Sequence, residues 1–266
     1  MAAAARAAHL VVDEPPHILD DHLAAPLLGV RAGELIGYHR LHGGHLILSG
    51  TRAQVTARSR YTEDRLRASG LEQYVSLGAG LDTFAYRASW PRVFEVDHPA
   101  TQQWKRRLLL DAGITPPDFL TFVGVDFEKE NLTVRLAEEG FDTSRPAFVS
   151  WLGVSMYLTA DAVSATLSAF GAFAPGSELV MEYALPAGAR DAQAETMAGY
   201  ALPAAAEHGE PWLTFHTPEE ITALLEKHGL RAVEHVRVAD VPAVAARSAP
   251  VPVSVDLCRL VVATPA

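Results

Sequence analysis

The chain has almost no cysteine. Cys258 stands alone among 266 residues, which excludes a disulfide framework and any cysteine-rich zinc or iron–sulfur site. No apolar run reaches the roughly 18 residues that a membrane helix requires. Met1–His9 is alanine-rich with one arginine and lacks the apolar core of a secretory leader. Both absences, with the lone thiol, lead us to expect a cytoplasmic protein. Positive charge is also scarce, 22 basic against 32 acidic residues for a net charge of −10. Such a surface repels nucleic acid and anionic lipid, and the nearest thing to a basic patch, Arg58, Arg60, Arg65 and Arg67, has Glu63 and Asp64 inside it. The expected partner is therefore a small-molecule or peptide acceptor, with no nucleic acid and no membrane; a homodimer is left open.

What is present is an ordinary globular composition, 49% apolar and 20% charged. A chain of this length buries about three quarters of its unfolded surface and needs no metal or disulfide for stability. Residues 1–50 read as an N-terminal helical cap or lid, because Pro15-Pro16, Gly29, Gly33, Gly37 and Gly43-Gly44 keep interrupting short apolar stretches. Residues 51–266 read as one α/β domain. From Thr51, Val55, Arg58, Thr62 and Leu66 share a helical face that Gly70 terminates. Short apolar runs then alternate with helical patterns, the signature of βαβ units and a parallel sheet. Strands are expected at Gln73–Gly78, Arg92–Asp97, Leu120–Val125, Pro146–Leu152 and Glu178–Ala184. Thr217-Pro218-Glu219-Glu220 forms a capping box that opens a further helix. Strands near Leu230–Val238 and Asp256–Ala263 follow, too close for another crossover helix. The predicted fold is a Rossmann-like doubly wound sheet of five parallel strands plus an antiparallel C-terminal pair.

Ligands of such sheets lie beyond the carboxyl ends of the strands. After the first strand, Gly78-Ala79-Gly80 permits a tight turn and close backbone approach. Asp97 ends the second strand, 19 positions after Gly78, where a carboxylate can accept from both ribose hydroxyls of an adenosine. Its alternative is a plain helix N-cap. Asp126 and Phe127 end the third strand and suit an adenine amino group and ring. Three such features in register indicate a nucleoside-containing ligand. Thr83 stands where the dinucleotide fingerprint has its third glycine, which argues against a nicotinamide cofactor and leaves S-adenosylmethionine. Arg58 is a candidate cation for the methionine carboxylate, against the alternative of an ordinary solvated helix charge.

Ala57-Arg58-Ser59-Arg60, the segment Gln73–Arg87 containing Gly-Ala-Gly-Leu-Asp-Thr, Phe94-Glu-Val-Asp-His-Pro-Ala-Thr, Val125-Asp-Phe127 and Phe148–Leu158 together resemble the leucine carboxyl methyltransferase-like group of class I S-adenosylmethionine-dependent methyltransferases. The resemblance covers roughly residues 51–186. It implies S-adenosyl-L-methionine as cofactor, with Arg58 at the methionine carboxylate, Gly78, Ala79 and Gly80 along the methionine, Asp97 with His98 at the ribose, and Asp126 with Phe127 at the adenine. Trp151 joins this set by position. One departure stands out: many relatives carry a glutamate where this chain has Trp151-Leu152-Gly153. The implied activity is O-methylation of a carboxylate or hydroxyl, in bacterial secondary metabolism.

For the acceptor side, Tyr157 after the fourth strand is the candidate catalytic group, able to hydrogen-bond the acceptor oxygen. Glu182-Tyr183, at the end of the fifth strand, stands beside it as a further candidate pair. Tyr183, His45, His208 and His216 are candidate substrate contacts, and Trp212 with Phe215 suits an apolar acceptor. His39, His42 and His45 lack a nearby carboxylate or thiol, so no metal is expected. A nicotinamide-dependent reductase is disfavoured further by the absence of a Tyr-x-x-x-Lys pair. A non-catalytic binding module of the same fold remains the other alternative.

Overall fold

The structure, a computed structural model, describes residues 2–246 and 256–266. Its centre is a seven-stranded sheet of β1 (Gln73–Leu77), β2 (Arg92–Asp97), β3 (Leu120–Gly124), β4 (Phe148–Trp151), β5 (Glu178–Ala184), β6 (Leu230–Val236) and β7 (Cys258–Pro265). The order is β3-β2-β1-β4-β5-β7-β6. The first five strands pair in parallel, and β7 runs antiparallel to both β5 and β6. The expected architecture is thus the observed one, with β7 inserted inside β6 so that β6 forms the edge. The strand order reverses between β1 and β4, the switch point at which open α/β sheets bind their ligands.

The helices are α1 (Ala2–Val12), α2 (Ala24–Leu27), α3 (Ala32–His42), α4 (Leu46–Ser69), α5 (Phe84–Arg87), α6 (Pro99–Asp111), α7 (Leu132–Glu138), α8 (Ala160–Gly171), α9 (Ala192–Glu207), α10 (Pro218–Lys227) and α11 (Pro242–Ala245). The helix expected from Thr51 begins at Leu46, where the ring of His45 accepts from Ile47 N and caps it. The capping box at Thr217 and Glu220 opens α10 as expected. Part of the segment joining β6 to β7, residues 247–255, lies outside the described residues. No helix among those described is long and apolar enough to cross a membrane.

Alternation along the strands divides the core between two faces. Val75, Leu77, Phe94, Val149, Met181 and Tyr183 pack with Leu167 and Phe170 of α8 and Ile221 and Leu225 of α10. Tyr74, Phe148, Val180 and Val262 pack with Ala53, Ala57, Tyr61 and Leu66 of α4. A third cluster gathers Met156, Met197 and Cys258, with Leu46, Ile47, Trp212 and Phe215 at its margin.

Buried charges are paired across these layers. Arg6 of α1 donates to Asp21 at 2.7 Å and to Leu81 O at 2.6 Å; Thr83 Oγ1 donates to Asp21 at 2.7 Å. Arg87 joins Thr83 to Glu63 of α4. The residue that replaces a fingerprint glycine therefore ties the loop after β1 to the N-terminal segment. Arg52 grips Asp13 with two hydrogen bonds of 2.9 Å. Under β2, Lys105 Nζ donates to Glu95 at 2.7 Å, both side chains being almost wholly buried. Burial pushes Glu95 up to about 7, against the opposing pull of the Lys105 ammonium.

Replacing Lys105 by methionine removes the cation that opposes the rise, so at neutral pH the buried Glu95 carboxyl takes up a proton and loses its ion pair. Urea unfolding at neutral pH should register a loss of about 3–5 kcal/mol. Adding Glu95→Gln in the same chain should return part of that loss; no recovery would mean the packing of Lys105, not its charge, is what matters.

Candidate active site

The loop after β1 and the end of β2 are joined through Asp97. Gly80 N donates to Asp97 Oδ2 at 2.6 Å and His98 N donates to Oδ1 at 2.7 Å. Burial raises the Asp97 pKa, and these two amides oppose the rise by favouring the charged form. Each carboxylate oxygen keeps a free lone pair for a further donor. His98 is also the N-cap of α6, its ring accepting from Ala100 N, so the plain capping role falls to it and not to Asp97. Gly78 N and Ala79 N both donate to Val96 O, folding the loop back over β2.

Gly78 has φ +67, and a Cβ there would fall 2.2 Å from Val154. The loop after β1 and the loop after β4 thus touch. One residue back along the second loop, Gly153 has φ +70 and supports the Arg58 guanidinium: a Cβ would lie 2.7 Å from both terminal nitrogens. Arg58 Nη1 donates to Glu182 Oε2, and Gln54 Nε2 donates to Glu182 Oε1 at 2.5 Å. Arg58 is accordingly no solvated surface charge. It stands over Gly153, next in the chain to the Val154 that touches Gly78, at the ends of β4 and β1.

Asp126 and Phe127 follow β3, with Asp126 bonded to Lys129 at 2.8 Å near the surface. The Lys129 ammonium, first, and the Glu128 amide hold Asp126 below the usual carboxylate range. Phe127 is half-buried and borders a cavity of about 60 Å³ with Asn131, Leu132, Thr166 and Ala169. Tyr157 ends a single 3-10 turn, Ser155–Tyr157, that Ser155 fastens by donating to Glu182 O. Its ring meets Trp212 edge-on at 5.9 Å, and Trp212 stacks toward Phe215 at 6.2 Å. Burial raises the Tyr157 pKa further above its ordinary value, so at neutral pH its hydroxyl is a hydrogen-bond donor and not a base.

Other candidates stand apart from this line. Tyr183 points to the opposite face of β5 from Glu182, its hydroxyl 2.9 Å from His235 and its ring in the core. Trp151 is wholly buried in that same core, and its indole nitrogen has no partner among the described residues. His208 ends α9 and bonds its own helix at Ala204 O. His45 is exposed at the α4 cap, and His216 lies half-buried beside β5, its amide donating to Ala184 O. Burial lowers the His216 pKa, keeping its ring neutral. His39 is buried against Arg52 while His42 is exposed, and the described residues contain no cluster suited to a metal. Gln54 is not singled out by the sequence reading, and Gly153 enters it only within the Trp151-Leu152-Gly153 departure. The four-residue spacing from Gln54 to Arg58 places both on one helical face, which was the available signal.

A reversing parallel sheet with an antiparallel last strand, a glycine turn after β1 and an acid at the end of β2 is the fold of methyltransferases. A putative methyltransferase of known structure from Thermobifida fusca YX superposes with a TM-score of 0.61 at 22% identity, over 91% of this chain and 92% of that one. A DUF574 family protein from Streptomyces avermitilis MA-4680 gives 0.63 at 17% identity, over 99% and 97%. At these identities the likeness is one of fold.

Residues 1–171 match the model of the family described as leucine carboxyl methyltransferase, and the chain belongs to that family. It is 40% identical over 193 residues to the protein named "Putative S-adenosyl-L-methionine-dependent methyltransferase YktD" of Bacillus subtilis (strain 168), covering 70% of this chain and 63% of that protein. A "Putative S-adenosyl-L-methionine-dependent methyltransferase" of Mycobacterium sp. (strain JLS) is 35% identical over 204 residues, 71% and 66% of the two chains. This chain spans slightly less than two thirds of the length of these curated relatives.

Gly153→Ala adds a methyl group where the guanidinium rests, and Arg58 cannot swing away without leaving Glu182 unpaired. Gly113 has a similar φ of +66 with nothing within 4 Å of its Cβ position, so Gly113→Ala isolates the backbone cost, about 1–2 kcal/mol. Chemical denaturation should show Gly153→Ala to be the more destabilising of the two. Equal losses would mean the guanidinium does not depend on that platform.

Proposed function

We propose that this chain is an S-adenosyl-L-methionine-dependent methyltransferase whose acceptor is an oxygen of a small molecule or peptide. The observation that carries the reading is Asp97, a part-buried carboxylate fixed by two backbone amides with capacity left for a pair of hydroxyls. The glycine cradle fits the same ligand. A Cβ at Gly80 would meet only Gly78 O, at 3.9 Å, leaving room for close approach of a ligand to the main chain. Arg58 supplies a cation for the methionine carboxylate, and Phe127 an aromatic edge for the adenine. When bound, this cofactor supplies a methyl group on a sulfonium centre, and the chemistry that remains is positioning and exclusion of water.

The chain's own residues account for those tasks. Asp97 and the Gly78–Gly80 turn hold the nucleoside, and Arg58 fixes the far end of the ligand. Tyr157 lies close enough to feel the charges of Arg58 and Glu182, and Trp212 and Phe215 extend an aromatic margin away from it, which suits an apolar acceptor. The Tyr157 hydroxyl is protonated at neutral pH and can donate to the acceptor oxygen, fixing its lone pairs. An acceptor that is already an anion, a carboxylate, needs no base to take the methyl group, and the protonated Tyr157 suits it as a hydrogen-bond donor. This is the sense in which the family's name fits; the acceptor itself is a small molecule or a peptide terminus.

Asp97→Ala should weaken S-adenosylhomocysteine binding by about 1–3 kcal/mol, the cost of stranding the ribose hydroxyls, measured by calorimetry; unchanged affinity would remove Asp97 from the site. In a thermal-shift titration S-adenosylmethionine should stabilise the fold, by about 2.7 kcal/mol at 100 times its dissociation constant, and NAD should not.

The acceptor class is tested by pH. Because the Tyr157 pKa is raised above that of a free phenol, Tyr157 does not titrate between about pH 6 and 9, and a carboxylic acid acceptor is ionised throughout. Its methylation rate should stay flat over that range. A rate that climbs with pH would instead indicate a hydroxyl acceptor losing its proton before transfer.

A further inference from the structure

The Arg58–Glu182 pair is nearly dry. The Glu182 side chain has no exposed surface and that of Arg58 is 14% exposed. Both Glu182 oxygens are engaged, one by Arg58 and one by Gln54. Arg58, by contrast, commits one corner. Among the described residues its hydrogen-bond acceptor is Glu182, although a guanidinium carries five N–H donors. Both terminal nitrogens, the bonded Nη1 and the uncommitted Nη2, lie over Gly153, next in the chain to the Val154 that meets Gly78.

A solitary half-buried arginine attracts any carboxylate. Paired with Glu182 it forms a neutral unit, and a second carboxylate placed on the same guanidinium would set two anions about one cation in a water-poor site. Like charges so placed are unfavourable. A ligand end that carries an ammonium beside its carboxylate adds no net charge and avoids that cost. Glu182, having no exposed surface, does not reach the ligand and acts through Arg58.

We infer that Glu182 is a positioning and specificity residue: it fixes the guanidinium of Arg58 and tunes the site to select a zwitterionic α-amino acid end over a plain carboxylate. The inference rests on the cofactor reading above and adds to it the residue that decides which ligand ends are accepted. It also assigns Gln54 a part, since its amide holds the second Glu182 oxygen and prevents the carboxylate from rotating away from Arg58.

Calorimetry with three probes tests this: S-adenosylhomocysteine, its desamino analogue with the carboxylate but no α-amino group, and 5′-methylthioadenosine, which lacks the whole amino acid end. The wild-type chain should bind S-adenosylhomocysteine on the order of tenfold more tightly than the desamino analogue. In Glu182→Gln that ratio should fall toward one, through tighter binding of the desamino analogue, with methylthioadenosine affinity unchanged. A merely structural Glu182 would move all three affinities together, and that result, or an unaltered ratio, overturns the inference. Equal binding of the two carboxylates by the wild-type chain overturns it without any variant. If the wild-type chain binds neither methylthioadenosine nor S-adenosylhomocysteine, the cofactor reading itself fails and takes this inference with it.

Discussion

Helix α4 is held by cations whose carboxylate partners lie elsewhere in the chain, and most of the molecule is arranged around that helix. Arg52 pairs with Asp13 from the N-terminal segment, Arg58 with Glu182 on β5, and Arg65 with Glu178 on β5 and Glu234 on β6. Arg58 and Arg65 are seven residues apart and share one face, whereas Arg52 is turned roughly 120° away from Arg58. One helix therefore binds the sheet along one side and the N-terminal helices along another. Isolated surface ion pairs contribute little. These differ because Arg52, Asp13 and Glu182 are largely removed from water, so a missing partner leaves a charge that nothing else can satisfy.

That anchoring sets the geometry of the candidate site. The carboxyl ends of β1, β2 and β4 supply backbone and one carboxylate, but the cation comes from α4. It can reach the strand ends only because Glu182 draws it there and Gly153 leaves room. On the opposite flank, Arg6, Asp21 and Thr83 bind the loop after β1 to the N-terminal helices. The glycine turn is thus flexible in sequence yet restrained by its neighbours. A preorganised turn costs less to bring onto a ligand than a mobile one.

The sheet was legible because its strands are short apolar runs bounded by turn residues. Arg92–Asp97 and Glu178–Ala184 coincide with β2 and β5 to the residue, since each is a short, mostly apolar run bounded by turn residues, its one interior glutamate paired with a cation from a helix. Helix α4 starts five residues before Thr51 because Ser49-Gly50 reads as a break in sequence although the helix runs through it, and its cap is a histidine ring. Among the candidate site residues, Gly78, Gly80, Asp97 and His98 could be read from their places after successive strands, and the structure joins Gly80 and His98 to Asp97 by direct hydrogen bonds while the Gly78 amide bonds Val96 O. Tyr183 could not. Neighbours on a strand face opposite ways, so adjacency to Glu182 in sequence puts Tyr183 on the other side of the sheet, against His235.

By itself the sequence determined the succession of strands along the chain, the helix opened by Thr217, the glycine turn, the acid at the end of β2 and the family, because each of these depends on spacing within a few tens of residues. Tertiary structure alone decided how charges separated by more than a hundred residues would pair. Arg58 and Glu182 lie 124 positions apart and Gln54 and Glu182 lie 128 apart. No local pattern carries that information. It arises only when a buried carboxylate must find a cation in a space from which water has been excluded.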